Sequence, residues 1–326
     1  MTDSDPAKKR RKVLLIFPMS FYSFVDQIQT ALSTAGYDVV TADHEYPMNV
    51  VGKILGNLRI FWLLSIITER VIYRNYISDR HYDLVLVVKG RGLSRRLIEK
   101  LRQAAPRIVA YNFDSFAYNP GPLRWYKDVD KYCTFDYVDS EKYSIPLVEL
   151  YSSIPSDETP KRSIYDISAI LRNHSNRLKY LDAVLNVLSG AKTFIYILEL
   201  NKITFVLNFL RNPFLYIKYW SNIHFRPLPY DKYVSVLQNS NFTLDYAHPK
   251  QSGITIRCFE ALNTGTKIIT NNGFVRRSSL FTDRNTVIFD EKRSSQEARA
   301  QFESIKDSVV MKRQRSALDF LQDLLA

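Results

Sequence analysis

Cysteine is nearly absent. Cys133 and Cys258 are the two in 326 residues, too few for a disulfide scaffold or a Cys-ligated zinc site, so a reducing compartment is expected. Glycine (10) and proline (13) are also sparse. With 46% hydrophobic and 24% charged residues, that excludes collagen-like, low-complexity and disordered chains. No uncharged apolar run approaches the roughly 18 residues of a membrane-spanning helix. The first apolar stretch is broken by Pro18 and lacks a small-residue cleavage site, which disfavours a secretory signal.

Several chemistries lack their motifs. No G-x-G-x-x-G follows a strand pattern, and neither a P-loop nor a G-x-S-x-G elbow occurs. RNP1 and zinc-finger patterns are missing too. His44, His81, His174, His224 and His248 are scattered without ligand spacing, so no metal is expected.

What is abundant is positive charge. Lys plus Arg number 45 against 33 Asp plus Glu, a formal charge of +12. Anionic partners follow: nucleotide phosphates, an acidic membrane surface, or nucleic acid. Only charge supports nucleic acid, which is not expected as a partner. Lys8–Lys12 reads either as a nuclear-localisation-like string or as a solvated arm before a strand.

Length suggests about two domains, and the pattern alternates strands with helices. Strands are expected at 13–17, 37–41, 83–88, 107–111, 132–135 and 147–151. Helices are expected at 26–35, 53–78 and 94–105. Residues 152–162, poor in apolar side chains and holding two prolines, form the linker between an N-terminal domain (1–151) and a C-terminal one (163–326). The pattern restarts there, with strands at 164–171, 193–198, 241–246, 267–270 and 286–289. Helices alternate with them at 175–188, 230–240, 255–263, 296–305 and 309–325, the last free to pack back on the first domain. This is an α/β chain of two Rossmann-like domains facing across a cleft. Segments 53–74 and 203–220 mix Phe, Trp, Tyr and Leu with Lys and Arg at helical spacing. Each reads as a sheet-packed helix or as an interfacial helix on an anionic leaflet.

The most informative stretch is His248-Pro-Lys-Gln-Ser252-Gly253-Ile-Thr255-Ile-Arg257-Cys-Phe-Glu260-Ala-Leu-Asn-Thr-Gly265. It reads as a loop, a helix and a glycine turn before a strand. Ser252, Gly253 and Thr255 fall where a helix N-terminus offers free amides to phosphate. Arg257 suits a diphosphate. Glu260 suits a ribose diol, or is an exposed helix carboxylate. His248 caps a phosphate or polarises a leaving group, or is a loop histidine held by local bonds. Asp114 follows a strand and serves as a base towards an acceptor hydroxyl or as a turn former. Lys89 and Gly90 follow another strand, suited to phosphate or acceptor, or to a solvated basic turn.

The run from Arg257 to Gly265 and the strand after it resembles the nucleotide-sugar motif of GT-B glycosyltransferases. It is most similar to the branch with a CgeB-like, glycosyl transferases group 1, C-terminal domain. Residues 82–90, 111–115, 134–136 and 244–249 resemble that branch as well. The resemblance implies a GT-B-type fold, a nucleotide-diphosphate sugar donor (UDP-linked most often) and transfer to a glycan or lipid-linked acceptor in surface-polysaccharide synthesis. It implies no cofactor beyond that substrate and requires no metal. A cytoplasmic protein, peripheral on the inner face of the membrane, is expected. The paired glutamate of retaining relatives would stand eight residues before Glu260, where this chain has Ser252; inversion is therefore favoured. The glycine expected near Leu171 is replaced by Leu171-Arg172-Asn173-His174-Ser175; either Arg172 or His174 compensates at the diphosphate, or the activity is reduced. The alternative is a protein of the same fold that binds a nucleotide sugar or glycan without catalysis.

Overall fold

β-branched and leucine-rich runs, covered on both faces, organise both halves of the chain. The computed structural model describes residues 10–18, 22–42, 52, 54–55, 58, 60–154, 163–290, 295–308, 312 and 315–326. Most of the linker at 152–162 and the start of the basic run at Lys8 lie outside them. So do parts of the helices expected at 53–78 and 309–325. The chain divides into two compact units. The first runs to Ser153 and takes in Lys250–Gly253 and Ser316–Ala326; the second holds Ile154–Pro249 and Ile254–Arg315.

Among the described residues of the first unit, one parallel sheet forms from β1 (Arg11–Ile16), β2 (Tyr37–Ala42), β3 (Leu84–Val88), β4 (Ile108–Asn112) and β5 (Lys131–Thr134). Its order is β2-β1-β3-β4-β5. All five residues of β3 are buried, as an uninterrupted Leu-Val-Leu-Val-Val strand between helical layers must be. Helices α1 (Tyr22–Thr34), α2 (Phe61–Ile72), α3 (Arg95–Ala104) and α4 (Tyr137–Tyr143) follow in chain order. In α3, Ser94 caps the Leu97 amide at 3.2 Å, and Leu97, Ile98, Leu101 and Ala104 face the core. Helix α2 buries Leu64 and Ile72, and its Glu69 pairs with Lys100 at 2.7 Å. It continues into a π-helical turn, Tyr73–Ile77.

Residues 147–151 do not form the expected strand. Leu147 makes one parallel bridge with Thr134. The chain then turns inward, seating the fully buried Tyr151 ring 4.7 Å from Phe24. The last helix, α11 (Ala317–Leu325), starts later than residue 309 because Ser316 and Asp319 close a capping box. Its Phe320 packs edge-on to Tyr111.

The described second unit has a parallel sheet of β6 (Tyr165–Arg172), β7 (Thr193–Leu198), β8 (Ile223–His224), β9 (Ser240–Asp245), β10 (Lys267–Thr270) and β11 (Thr286–Ile288). Its order is β11-β10-β9-β6-β7-β8. Helices α5 (Arg177–Val187), α6 (Lys202–Arg211), α7 (Pro213–Lys218), α8 (Tyr230–Gln238), α9 (Ile256–Asn263) and α10 (Ser295–Ile305) accompany it. From β6 the chain winds outward through β7 and β8, then returns on the other side at β9. Strand order thus reverses between β6 and β9, and ligands of open α/β sheets bind outside the strand ends at such a point. Gly265 ends α9 in the left-handed region, φ +70°.

Candidate functional site

At the reversal in the second unit, Arg172 ends β6, the loop after it carries Asn173, His174 and Ser175, and the loop after β9 carries His248. Ser175 is left-handed at φ +58°, a strained conformation for a residue with a Cβ. His174 is half-buried. Desolvation, then the charges of Arg177, Arg172 and His248, push its pKa down to about 4. Arg177, in the first turn of α5, is lowered to about 10 by burial and by repulsion from Arg257. The Nε atoms of Arg177 and Arg257 are both buried, and neither has a hydrogen-bond partner among the described residues. Five cationic or protonatable side chains, Arg172, His174, Arg177, His248 and Arg257, therefore lie near enough to repel one another, and two of them retain unspent donors. Arg177 is the member that residue patterns missed; its one signal is a cation in the first turn after the strand.

Helix α9 supplies the rest. Burial works against the charge of Arg257, but Tyr233, Asp245 and Glu260 hold its pKa above the ordinary value. Asp245, at the end of β9, accepts from Thr255 Oγ1 at 2.7 Å and Thr270 Oγ1 at 3.1 Å, and lies 4.0 Å from an Arg257 Nη. Asp245 thus fastens the helix start to two strands. Glu260 is buried, not an exposed helix carboxylate, and accepts a hydrogen bond from the Tyr233 hydroxyl. Burial, with the Glu260 charge beside it, raises the Tyr233 phenol well above its ordinary pKa.

A second buried carboxylate stands one strand away. Glu199, just past β7, accepts from Asn173 Nδ2 at 2.6 Å, from the Tyr216 hydroxyl, and from Asn208 Nδ2 at 3.4 Å. It ties α6 and α7 to the residue beside His174.

Ser252 and Gly253 belong to the first unit, and their amides are not free. Both donate to Asp136 Oδ2, at 2.6 and 3.3 Å. That carboxylate is buried and also caps α4 through the Asp139 amide. The phosphate-facing amides expected at 252 and 253 are thus already bonded. Gly253 is needed for space: a Cβ there would lie 2.3 Å from the Phe135 ring.

In the same unit Lys89 and Asp114, from the ends of β3 and β4, form an ion pair at 3.1 Å. Asp114 also accepts from Gln251 at 3.2 Å. Lys89 is left-handed, φ +73°. Gly90 serves packing, since a Cβ would meet buried Trp125 at 2.4 Å. Among the described residues no group of three or more His, Cys, Asp or Glu is arranged to hold a metal ion. No described helix is long and apolar enough to cross a membrane.

No protein-family model matches the chain, and no curated protein matches it in sequence. Solved structures do. AviGT4, a glycosyltransferase involved in avilamycin A biosynthesis, is 12% identical, with 97% of this chain and 92% of that one covered and a TM-score of 0.53. The apo form of WaaB, a lipopolysaccharide outer core galactosyltransferase, is 9% identical over 96% and 98% of the two chains, TM-score 0.54. The Methanocaldococcus jannaschii UDP-GlcNAc 2-epimerase, solved with UDP-GlcNAc and UDP, is 12% identical over 96% and 99%, TM-score 0.55. The chain therefore has the paired Rossmann-like fold shared by GT-B glycosyltransferases and these epimerases.

Proposed function

We propose that this protein transfers a sugar from a nucleotide diphosphate, UDP in the first instance, to a glycan or lipid-linked acceptor in surface-polysaccharide synthesis. We assign it to the CgeB-like branch on the Arg257–Gly265 motif. One observation carries the reading: Arg177 and Arg257, with buried and unspent Nε donors, converge with Arg172, His174 and His248 at the strand reversal of the second unit. Such a cluster is repulsive by itself and is relieved by a diphosphate. Glu260, held by Tyr233, accepts from the ribose hydroxyls, and Thr255 orients the helix start beneath the phosphates.

In the proposed reaction the acceptor oxygen bonds to the anomeric carbon and its proton passes to Asp114. The anomeric C–O bond breaks with its electron pair on the departing nucleoside diphosphate. The arginines neutralise that charge as it develops, His248 polarises the leaving oxygen, and preorganised cations of this kind carry much of such a rate enhancement. Lys89 and Gly90 flank Asp114 on the acceptor side. Ser252 at the position of the missing glutamate favours inversion, without a bound metal, at the inner face of the cytoplasmic membrane. Ser252 and Gly253 keep a supporting role through Asp136.

The test is a panel of nucleotide sugars, read first by thermal shift and then by release of free nucleoside diphosphate with glycan acceptors. Stabilisation and turnover, both lost in Arg257→Met, support the reading. Stabilisation without turnover indicates a binding protein of the same fold. Interconversion of UDP-GlcNAc and its 2-epimer indicates an epimerase.

A further inference from the structure

Helices α6 and α7 turn an apolar face outward. Ile203, Leu207 and Leu210 recur at helical spacing along α6, and Phe214, Ile217 and Trp220 continue the face across α7. Exposure reaches 74% at Ile203, 70% at Leu210 and 85% at Phe214. The opposite side is occupied as well: Phe205, Phe209 and Leu215 pack against the core of the second unit. A helix that is apolar on its core side needs a polar outer side in water, and α6 lacks one.

The charge around the face identifies the occupant. From Leu200 to Tyr230 the chain holds no Asp or Glu, while Lys202, Arg211, Lys218 and Arg226 are spread along it. Lys202, Arg211 and Arg226 are exposed, and Lys218 is paired with Asp182 at 2.6 Å. An apolar stripe of Leu, Ile, Phe and Trp bordered by cations and free of acids matches the acyl boundary and headgroups of an anionic leaflet. A second protein copy would bring the same positive charge to the contact, and like charges oppose that pairing.

We infer that α6, α7 and Trp220 form a docking surface for an anionic lipid bilayer, lying in the interface without crossing it. The inference is independent of glycosyl transfer, because it concerns where the second unit rests and not what it converts.

The experiment is co-sedimentation of the full chain with phosphatidylcholine vesicles and with vesicles containing 30% phosphatidylglycerol. The wild type is expected to partition to the anionic vesicles and to stay in solution with neutral ones. Leu210→Glu with Phe214→Glu, at positions open to solvent, lowers that partition by more than about tenfold. Lys202→Glu with Arg211→Glu removes the dependence on phosphatidylglycerol. A second readout needs no glutamate variant. In Trp62→Phe protein, with Trp125 buried, the emission of Trp220 shifts to the blue on anionic vesicles. Wild-type protein that stays in the supernatant throughout overturns the inference. So does undiminished partition of the Leu210/Phe214 variant, and so does a wild-type dimer, dissociated by that variant, that ignores vesicles.

Discussion

His174 offers the sharpest test of the anion site, because its proton reports on what neutralises its neighbours. With a pKa of about 4, set by burial and by Arg177, Arg172 and His248, about 3% of the imidazole is charged at pH 5.5. A diphosphate against Arg177 and Arg172 cancels their repulsion, and its own negative charge beside the imidazole offsets the desolvation that is the largest cause of the shift. If the pKa returns to about 6.5, roughly 90% becomes charged at that pH. Binding should then take up about 0.9 proton at pH 5.5 and almost none at pH 7.5, and affinity should rise about tenfold between pH 7.5 and 5.5. The sign is fixed by linkage: the bound state holds more protons, so acid favours it. The assay is calorimetry of UDP-glucose or UDP-GlcNAc in buffers of different ionisation enthalpy; a nucleotide sugar, unlike free UDP, has no phosphate ionisation in this range. His174→Asn should abolish the uptake and flatten the pH dependence. Measurable binding with uptake below about 0.2 proton, or uptake that survives in His174→Asn, would refute the placement of the diphosphate.

Other outcomes are equally specific. Arg257→Met and Arg177→Met should each weaken nucleotide-sugar binding by about 10- to 100-fold in calorimetry, the scale of a lost charge-assisted hydrogen bond; equal affinity for Arg177→Met would remove it from the site. Gly90→Ala should cost about 2–4 kcal/mol in chemical denaturation, from overpacking against Trp125 and a left-handed φ of +58°. Asp139 has its pKa raised to about 6, by burial above all. Its charge therefore weakens the fold above pH 6 by up to about 3 kcal/mol, a penalty that fades as pH falls towards 3.8. Asp139→Asn, which keeps an oxygen for the Phe116 amide, should raise the melting temperature at pH 7.5 and lose that gain near pH 4.

Ten of the eleven strands were legible, most of them as short β-branched or leucine-rich runs with turn residues after them, as in Leu84–Val88 and Lys267–Thr270; β8 (Ile223–His224) was not, because two residues carry no run of their own. Gly265 was legible as a helix stop for its left-handed φ. What escaped depends on contacts far apart in the chain. Arg177 matters because the β6–α5 turn sets it near Arg257, 80 residues onward, and no local spacing carries that. Asp136 captures the amides of Ser252 and Gly253 across more than a hundred residues, so amides that read as open to phosphate are bonded within the fold. Residues 147–151 had the composition of a strand, but the pull of Tyr151 into the core outweighed pairing beyond Leu147.

The Glu199 hub constrains how this molecule can be re-engineered. One carboxylate fastens a loop and two helices through three neutral donors, so α6 and α7 cannot be exchanged as a cassette. A graft that omits Asn208 or Tyr216 strands an anion in the interior and loosens the loop beside His174, even when its outer face is well chosen.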